Sequence, residues 1–120
     1  MLTHVMPLLT NSVCLGANIA QPSPAQALQS LKEGNLRYLA GAATAPRADA
    51  ARRQETHEQG QRPFAAILGC SDSRVPLETI FNAGIGDLFV VRVAGNVCNN
   101  DELASLEYAV DHLDVPVCLV

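Results

Sequence analysis

The chain has 120 residues and a formal net charge of −4, with 48% apolar but only 4% aromatic residues. That length suits one domain and leaves no room for a second full core. With Lys32 its single lysine against seven arginines, it offers no basic surface that would release counterions, so nucleic acid is not expected as a partner.

The core must be built from Ala, Val, Leu and Ile, a balance typical of parallel sheets buried on both faces. The pair Arg52-Arg53 is too short for a basic patch and reads as a solvated helix face. Cys14, Cys70, Cys98 and Cys118 are widely spaced. The absence of C-x-x-C excludes zinc-ribbon and thioredoxin-like patterns, and the aliphatic core makes a disulfide framework unnecessary. Cys98 and Cys118 are expected to be ordinary buried thiols.

In chain order, Met1–Ala20 holds an apolar stretch ending in the small-residue site Ala17-Asn18-Ile19-Ala20. It lacks a positive n-region, and Asn11 and Ser12 interrupt it. It is also too short and polar to span a bilayer, so no membrane partner is expected. Residues 1–22 read as a leader or disordered arm, and residues 23–120 as a partial α/β domain. A cytoplasmic location is expected, or a periplasmic one if the segment is a leader.

Ser23 as N-cap, Pro24 at the first helical position and Gln26 in a capping box predict a helix. Leu28, Leu31, Asn35 and Leu39 recur along it at helical spacing, and Gly41 closes it. After the linker Ala42–Pro46, a polar helix is predicted from Arg47 or Asp49 to Gln59, stopped by Gly60. It has no apolar stripe, so it lies on the surface or against another subunit. Phe64–Cys70 reads as a buried strand, Pro76 opens a short helix through Phe81, and Gly84-Ile85-Gly86-Asp87 turns the chain. Leu88–Val93 is a second strand, followed by a turn at Gly95-Asn96. Asn99 and Glu102 cap a helix from Asn100 to about Leu113, with Leu103, Leu106, Val110 and Leu113 as its stripe. Asp114 and Pro116 end it, and Val117–Val120 begins a third strand. Short helices alternating with apolar strands predict an α/β fold with a parallel sheet of three strands, right-handed crossovers and an N-terminal helical arm. The uncovered third strand marks the fold as incomplete and as a template for association.

Cys70-Ser71-Asp72-Ser73-Arg74-Val75-Pro76 carries the chemistry. A thiol, a carboxylate and a guanidinium leave the carboxyl end of a strand, where open α/β sheets bind ligands. A Cys near backbone N–H groups and an Arg tends to be a thiolate, hence a nucleophile or a soft metal ligand. Cys-based phosphatases place Arg six positions after Cys; here Pro76 stands there and Arg74 comes at four, which argues against that chemistry. Zinc suits a thiolate, and a catalytic site needs about three protein ligands plus an open position. Asp72 is close enough to ligate the metal or to accept a hydrogen bond from its water, with Arg74 fixing and ionising it. Equally, Asp72 or Ser73 can cap the helix near Pro76, with Asp72–Arg74 a plain salt bridge and Cys70 a buried thiol. Spacing alone does not choose between these.

The segment CSDSRVP, preceded by RPFAAILG and followed by GIGDLFVVRVAGN, closely resembles the β-class carbonic anhydrases. ALQSLKEGNLRYLAG resembles that family's N-terminal helix, and ELASLEYAVDHLDVPVCLV its next helix and strand, so the likeness runs over about residues 25 to 120. It implies zinc-dependent, reversible hydration of CO₂ to bicarbonate by a homodimer or higher homo-oligomer. It implies Cys70 as the first zinc ligand, and Asp72 as a gatekeeping carboxylate that orients zinc-bound water or itself binds Zn²⁺. It also implies Arg74 as the group that draws Asp72 off the metal, and Gly95 on the pocket side of the second strand. The family's other two ligands come from a His-x-x-Cys just after the third strand. No group here matches it: His4 falls in the leader, His57 in the polar helix, His112 at a helix end and Cys118 inside the third strand, while Cys98 is one extra thiol. Impaired or absent hydration is therefore expected of this chain alone. The alternatives are a non-catalytic interaction module and a reactive-thiol protein.

Overall fold

The computed structural model describes residues 20–120. Cys14, His4 and nearly all of the expected leader lie outside them. The first helix, α1, spans Pro24–Leu39. Its start is as predicted: Ser23 Oγ accepts from Gln26 N at 3.2 Å, and Ser23 N donates to Gln26 Oε1 at 2.8 Å. At its end Gly41, with φ +70°, donates to Tyr38 O while Ala42 donates to Arg37 O, so the last turn's carbonyls are paired. The buried face differs from the predicted stripe. Ala27, Leu31 and Gly34 point inward, whereas Leu28 and Leu39 are exposed. The cause is a close backbone approach: a Cβ on Gly34 would lie 1.9 Å from Phe81 O, so α1 turns its small-residue side to the neighbouring chain.

Helix α2, Ala50–Gln59, is capped by Asp49, whose Oδ1 accepts from Arg52 N at 2.8 Å, and ends at Gly60. As its polarity predicts, it buries no residue. The expectation of a solvated Arg52-Arg53 pair fails for Arg52. Its Nε donates to Ile85 O at 2.8 Å, and its Nη2 meets Asp87 Oδ1 at 3.5 Å. Asp87 is 6% exposed; it also pairs with Arg47 and accepts from Gly84 N at 2.7 Å. A buried carboxylate satisfied by two guanidinium groups and an N–H thus stands in for the apolar face that α2 lacks.

The sheet has strand β1 (Ala65–Cys70) at its centre, β2 (Leu88–Val93) on one side and β3 (Cys118–Leu119) on the other, all parallel. Side chains alternate along β1. Ala65 and Ile67 pack with Leu31 of α1 and Leu77 of the short helix α3 (Leu77–Ile80). Ala66 packs on the other face with Ala109 of α4 (Asn100–Leu113) and Val115. Helices therefore cover both faces, which is why β1 reads as a nearly unbroken apolar run. In α4 the inward residues are Leu106, Ala109 and Leu113, and Leu103 and Val110 on the flank of that stripe stay exposed. Asn99 N donates to Glu102 Oε2 at 2.8 Å at its start, and Asp114 ends it in a left-handed conformation. Cys98 and Cys118 are exposed, contrary to expectation, because one lies in the loop before α4 and the other on an edge strand of two residues.

Gly34→Ala should cost about 2 kcal/mol or more, since the new methyl must displace backbone and not a flexible side chain. The expected result is a lower urea midpoint at unchanged m-value. An unshifted midpoint would show that α1 does not dock on Phe81 as described.

Candidate functional site

The register of β1 and β2 sets the site. Cys70 is level with Val93, so the loops leaving both strands emerge side by side at the carboxyl edge of the sheet. Ser71 N donates to Val93 O at 3.1 Å and prolongs the pairing by one residue. Cys70 Sγ then accepts two backbone hydrogen bonds, from Asp72 N at 3.4 Å and from Gly95 N at 3.3 Å. Gly95 can aim its N–H there because it sits at φ +77° in the tight turn Ala94–Asn96. A Cβ at Gly95 would meet nothing within 4 Å, so the backbone conformation and not space calls for glycine.

Asp72 is turned to Arg74. Arg74 Nε lies 3.0 Å from Oδ1, Nη2 lies 2.7 Å from Oδ2, and Arg74 N donates to Oδ1 at 2.9 Å. This fork-on-carboxylate geometry fixes direction as well as charge. Neither Asp72 nor Ser73 caps α3, whose N-cap is Pro76 with no side-chain hydrogen bond, so the helix-cap alternative fails. The ion pair is real, but with Arg74 86% exposed it contributes little to stability. Its consequence is orientation.

Both anionic groups are eased toward ionisation. Cys70's thiol is lowered from its ordinary range, first by the Asp72 N–H, then by that of Gly95, with Arg92 adding a smaller favourable charge. Asp72's carboxyl is lowered by its side-chain and backbone bonds from Arg74, and Arg74 is raised in return. These hydrogen bonds favour the charged form of each acid.

Arg92 escaped the sequence reading. It is the one charged residue in the run Leu88–Val93, and a cation in an otherwise apolar strand next to a reactive turn was the available signal. Its Nε donates to Cys70 O at 2.9 Å and its Nη2 to Asp72 O at 2.7 Å. The other candidates do not join the turn. His57 is exposed on α2, and His112 lies tilted beside Tyr108 on α4, with ring centroids 4.9 Å apart. Cys98 Sγ faces Asn99 O at 3.9 Å.

Cys70 has the chemistry of a soft zinc donor, and Asp72 stands two residues away with its oxygens engaged by Arg74. Among the described residues no three His, Cys, Asp or Glu side chains come together to hold a metal. These residues thus fit part of a donor set and not a whole one. A cavity of about 720 Å³, lined by Thr44, Ala48, Glu78, Ile85 and Leu88 among others, is elsewhere. Its lining has Glu78 as its only ionisable side chain, so the reactive groups sit outside it.

Residues 65–120 match the profile of the family described as "Carbonic anhydrase". A carbonic anhydrase of Mycolicibacterium smegmatis is 47% identical over 98 residues, which are 82% of this chain and 47% of that protein. Carbonic anhydrase 2 of Mycobacterium tuberculosis gives the same identity and coverage. The solved β-carbonic anhydrase CafA of Aspergillus fumigatus shares 32% identity, covers 79% of this chain and 44% of its own, and has a TM-score of 0.48. The chain spans about half the length (47%) of these mycobacterial relatives.

Because N–H donation from Asp72 and Gly95 lowers its pKa, Cys70 should hold its charge to a lower pH than a free cysteine. Iodoacetamide labelling of Cys70, followed against pH by mass spectrometry, should therefore have its midpoint below that of a free cysteine in a short peptide. A midpoint equal to or above the peptide's would remove the two N–H donors as an influence on the thiol.

Proposed function

The chain belongs to the β-class carbonic anhydrase family, matching about half the length of its relatives, and on that premise we propose that it forms one wall of a zinc-dependent site for the reversible hydration of CO₂ to bicarbonate. The observation that carries this is the Cys70–Arg74 turn: a sulfur that accepts from two N–H donors beside a carboxylate that a guanidinium grips and turns aside. Zinc, when bound, supplies the Lewis acidity that brings ionisation of water near neutral pH. Cys70 is proposed as one ligand of that ion, kept anionic by Asp72 N–H and Gly95 N–H. Asp72 is a hydrogen-bond acceptor for the reacting water, and Arg74 holds its carboxylate away from the thiolate.

Among the described residues no three metal-ligating side chains come together, and we propose that these 120 residues alone hydrate CO₂ poorly or not at all. A homo-oligomer fits α2, which buries nothing, and the exposed flank of α4 at Leu103 and Val110. Among the described residues no helix is long and apolar enough to cross a membrane. A reactive-thiol role for Cys70 draws on the same two donors and is separated from hydration by the metal.

The test is zinc content and CO₂ hydration, measured on this chain and on a fusion of it to the C-terminal half of the M. smegmatis relative. The fusion should hold about one zinc and hydrate CO₂ until a chelator removes it, whereas the chain alone should hold little. Asp72→Asn in the fusion should lower the rate by about tenfold or more with zinc retained. A zinc-loaded fusion without hydration would overturn the proposal. About one zinc in the unfused chain would overturn the division of ligands.

A further inference from the structure

Arg92 lies at the register position facing Gly69, one residue before the level of Cys70. Its guanidinium crosses to the end of β1 and reaches backbone at two points, Cys70 O at 2.9 Å through Nε and Asp72 O at 2.7 Å through Nη2. These carbonyls bracket Ser71 and Asp72, so one planar group fixes the peptides on both sides of that step. Of the two N–H groups between them, that of Ser71 bonds Val93 O and that of Asp72 is aimed at Cys70 Sγ at 3.4 Å. The strand that carries Arg92 also runs on into Gly95, the second N–H donor to the same sulfur at 3.3 Å. Arg74 grips the Asp72 side chain through its guanidinium and its own backbone N–H, and leaves these carbonyls to Arg92.

The geometry points to Arg92 as a positioning residue that clamps the Cys70–Asp72 backbone from β2. In doing so it holds both N–H donors on the thiolate and the Asp72 carboxylate in place. The role needs a rigid fork with two N–H groups at fixed separation. A lysine ammonium on a flexible stem keeps the charge but not the fork. Arg92 bears on hydration through the function proposed above, whereas the clamp itself is testable without metal or CO₂.

The test is amide hydrogen exchange by NMR on the metal-free 120-residue chain, comparing wild type with Arg92→Lys and Arg92→Gln. Both variants should speed exchange at Asp72 and Gly95 by about tenfold or more, the scale of losing hydrogen bonds from a charged donor. Ile67 and Leu68, inside β1, should keep their rates. In wild type, the Arg92 Nε–H should exchange more slowly than that of exposed Arg53. Unchanged rates at Asp72 and Gly95 would overturn the clamp, as would full protection restored by Arg92→Lys, which would make charge alone responsible. Equal acceleration at Ile67 and Leu68 would overturn it too, since Arg92 would then support the whole sheet. A wild-type Arg92 Nε–H as fast as that of Arg53 overturns it whatever the variants do. Failure of the zinc-loaded fusion to hydrate CO₂ with these exchange results intact would count against the function and leave the clamp standing.

Discussion

The parallel pairing of β1 with β2, level at Cys70 and Val93, is the constraint on which the rest of the site depends. Parallel strands leave the sheet in the same direction, so two loops distant in sequence are delivered to one edge. Every feature of the turn uses that coincidence. Ser71 bonds Val93 O, Gly95 N–H reaches the Cys70 sulfur, and Arg92 reaches two carbonyls of the β1 loop. A shift of one residue in register would move Gly95 off the sulfur and carry Arg92 past its carbonyls. The thiolate environment is therefore a product of sheet register and not of the Cys-x-Asp-x-Arg segment alone.

Electrostatics divides into two kinds here. At Asp87 a buried carboxylate meets Arg47, Arg52 and the Gly84 N–H, and the result is attachment: α2, with no buried side chain, is tied to the turn before β2. At the Cys70 turn the charges are partly open to solvent, where an ion pair adds little stability. What they supply there is direction. Arg74 spends its donors on a side chain and Arg92 on backbone, so an exposed loop of few residues is held from two independent sides. A preorganised loop of this kind presents an anion without first having to order it.

Much of this was legible in the sequence where the cause is local. Ser23, Gln26, Asn99, Gly41 and Gly60 mark helix ends because capping depends on residues within one turn. The strands were legible because β1 is covered on both faces and so reads as apolar throughout. The buried faces of the helices were less so. Leu28, Leu39, Leu103 and Val110 satisfy helical periodicity yet stay exposed. Periodicity gives a stripe's existence, whereas its centre depends on where the partner lies, and Gly34's contact with Phe81 O rotates α1 away from the leucine side. Cys70, Asp72 and Arg74 were legible as a short segment. Arg92 and Arg52 were not, because their partners lie 22 and 33 residues away and are main-chain carbonyls, which no sequence pattern displays.

The same register logic sets the course of the third strand. On the other side of β1, β3 pairs in parallel with Ala66 level with Cys118 and Ile67 level with Leu119. All three strands are parallel, so β3 runs toward the same edge of the sheet at which Cys70 Sγ accepts from Asp72 N and Gly95 N. Within the described residues, β1 and β2 have made their contributions: the ligand-like sulfur from one, and the N–H donor and clamp from the other. The turn is thus ordered by two strands without any third metal-ligating side chain beside it among the described residues. Orientation of the Cys70 sulfur is a property of the β1–β2 pairing and does not wait on further donors.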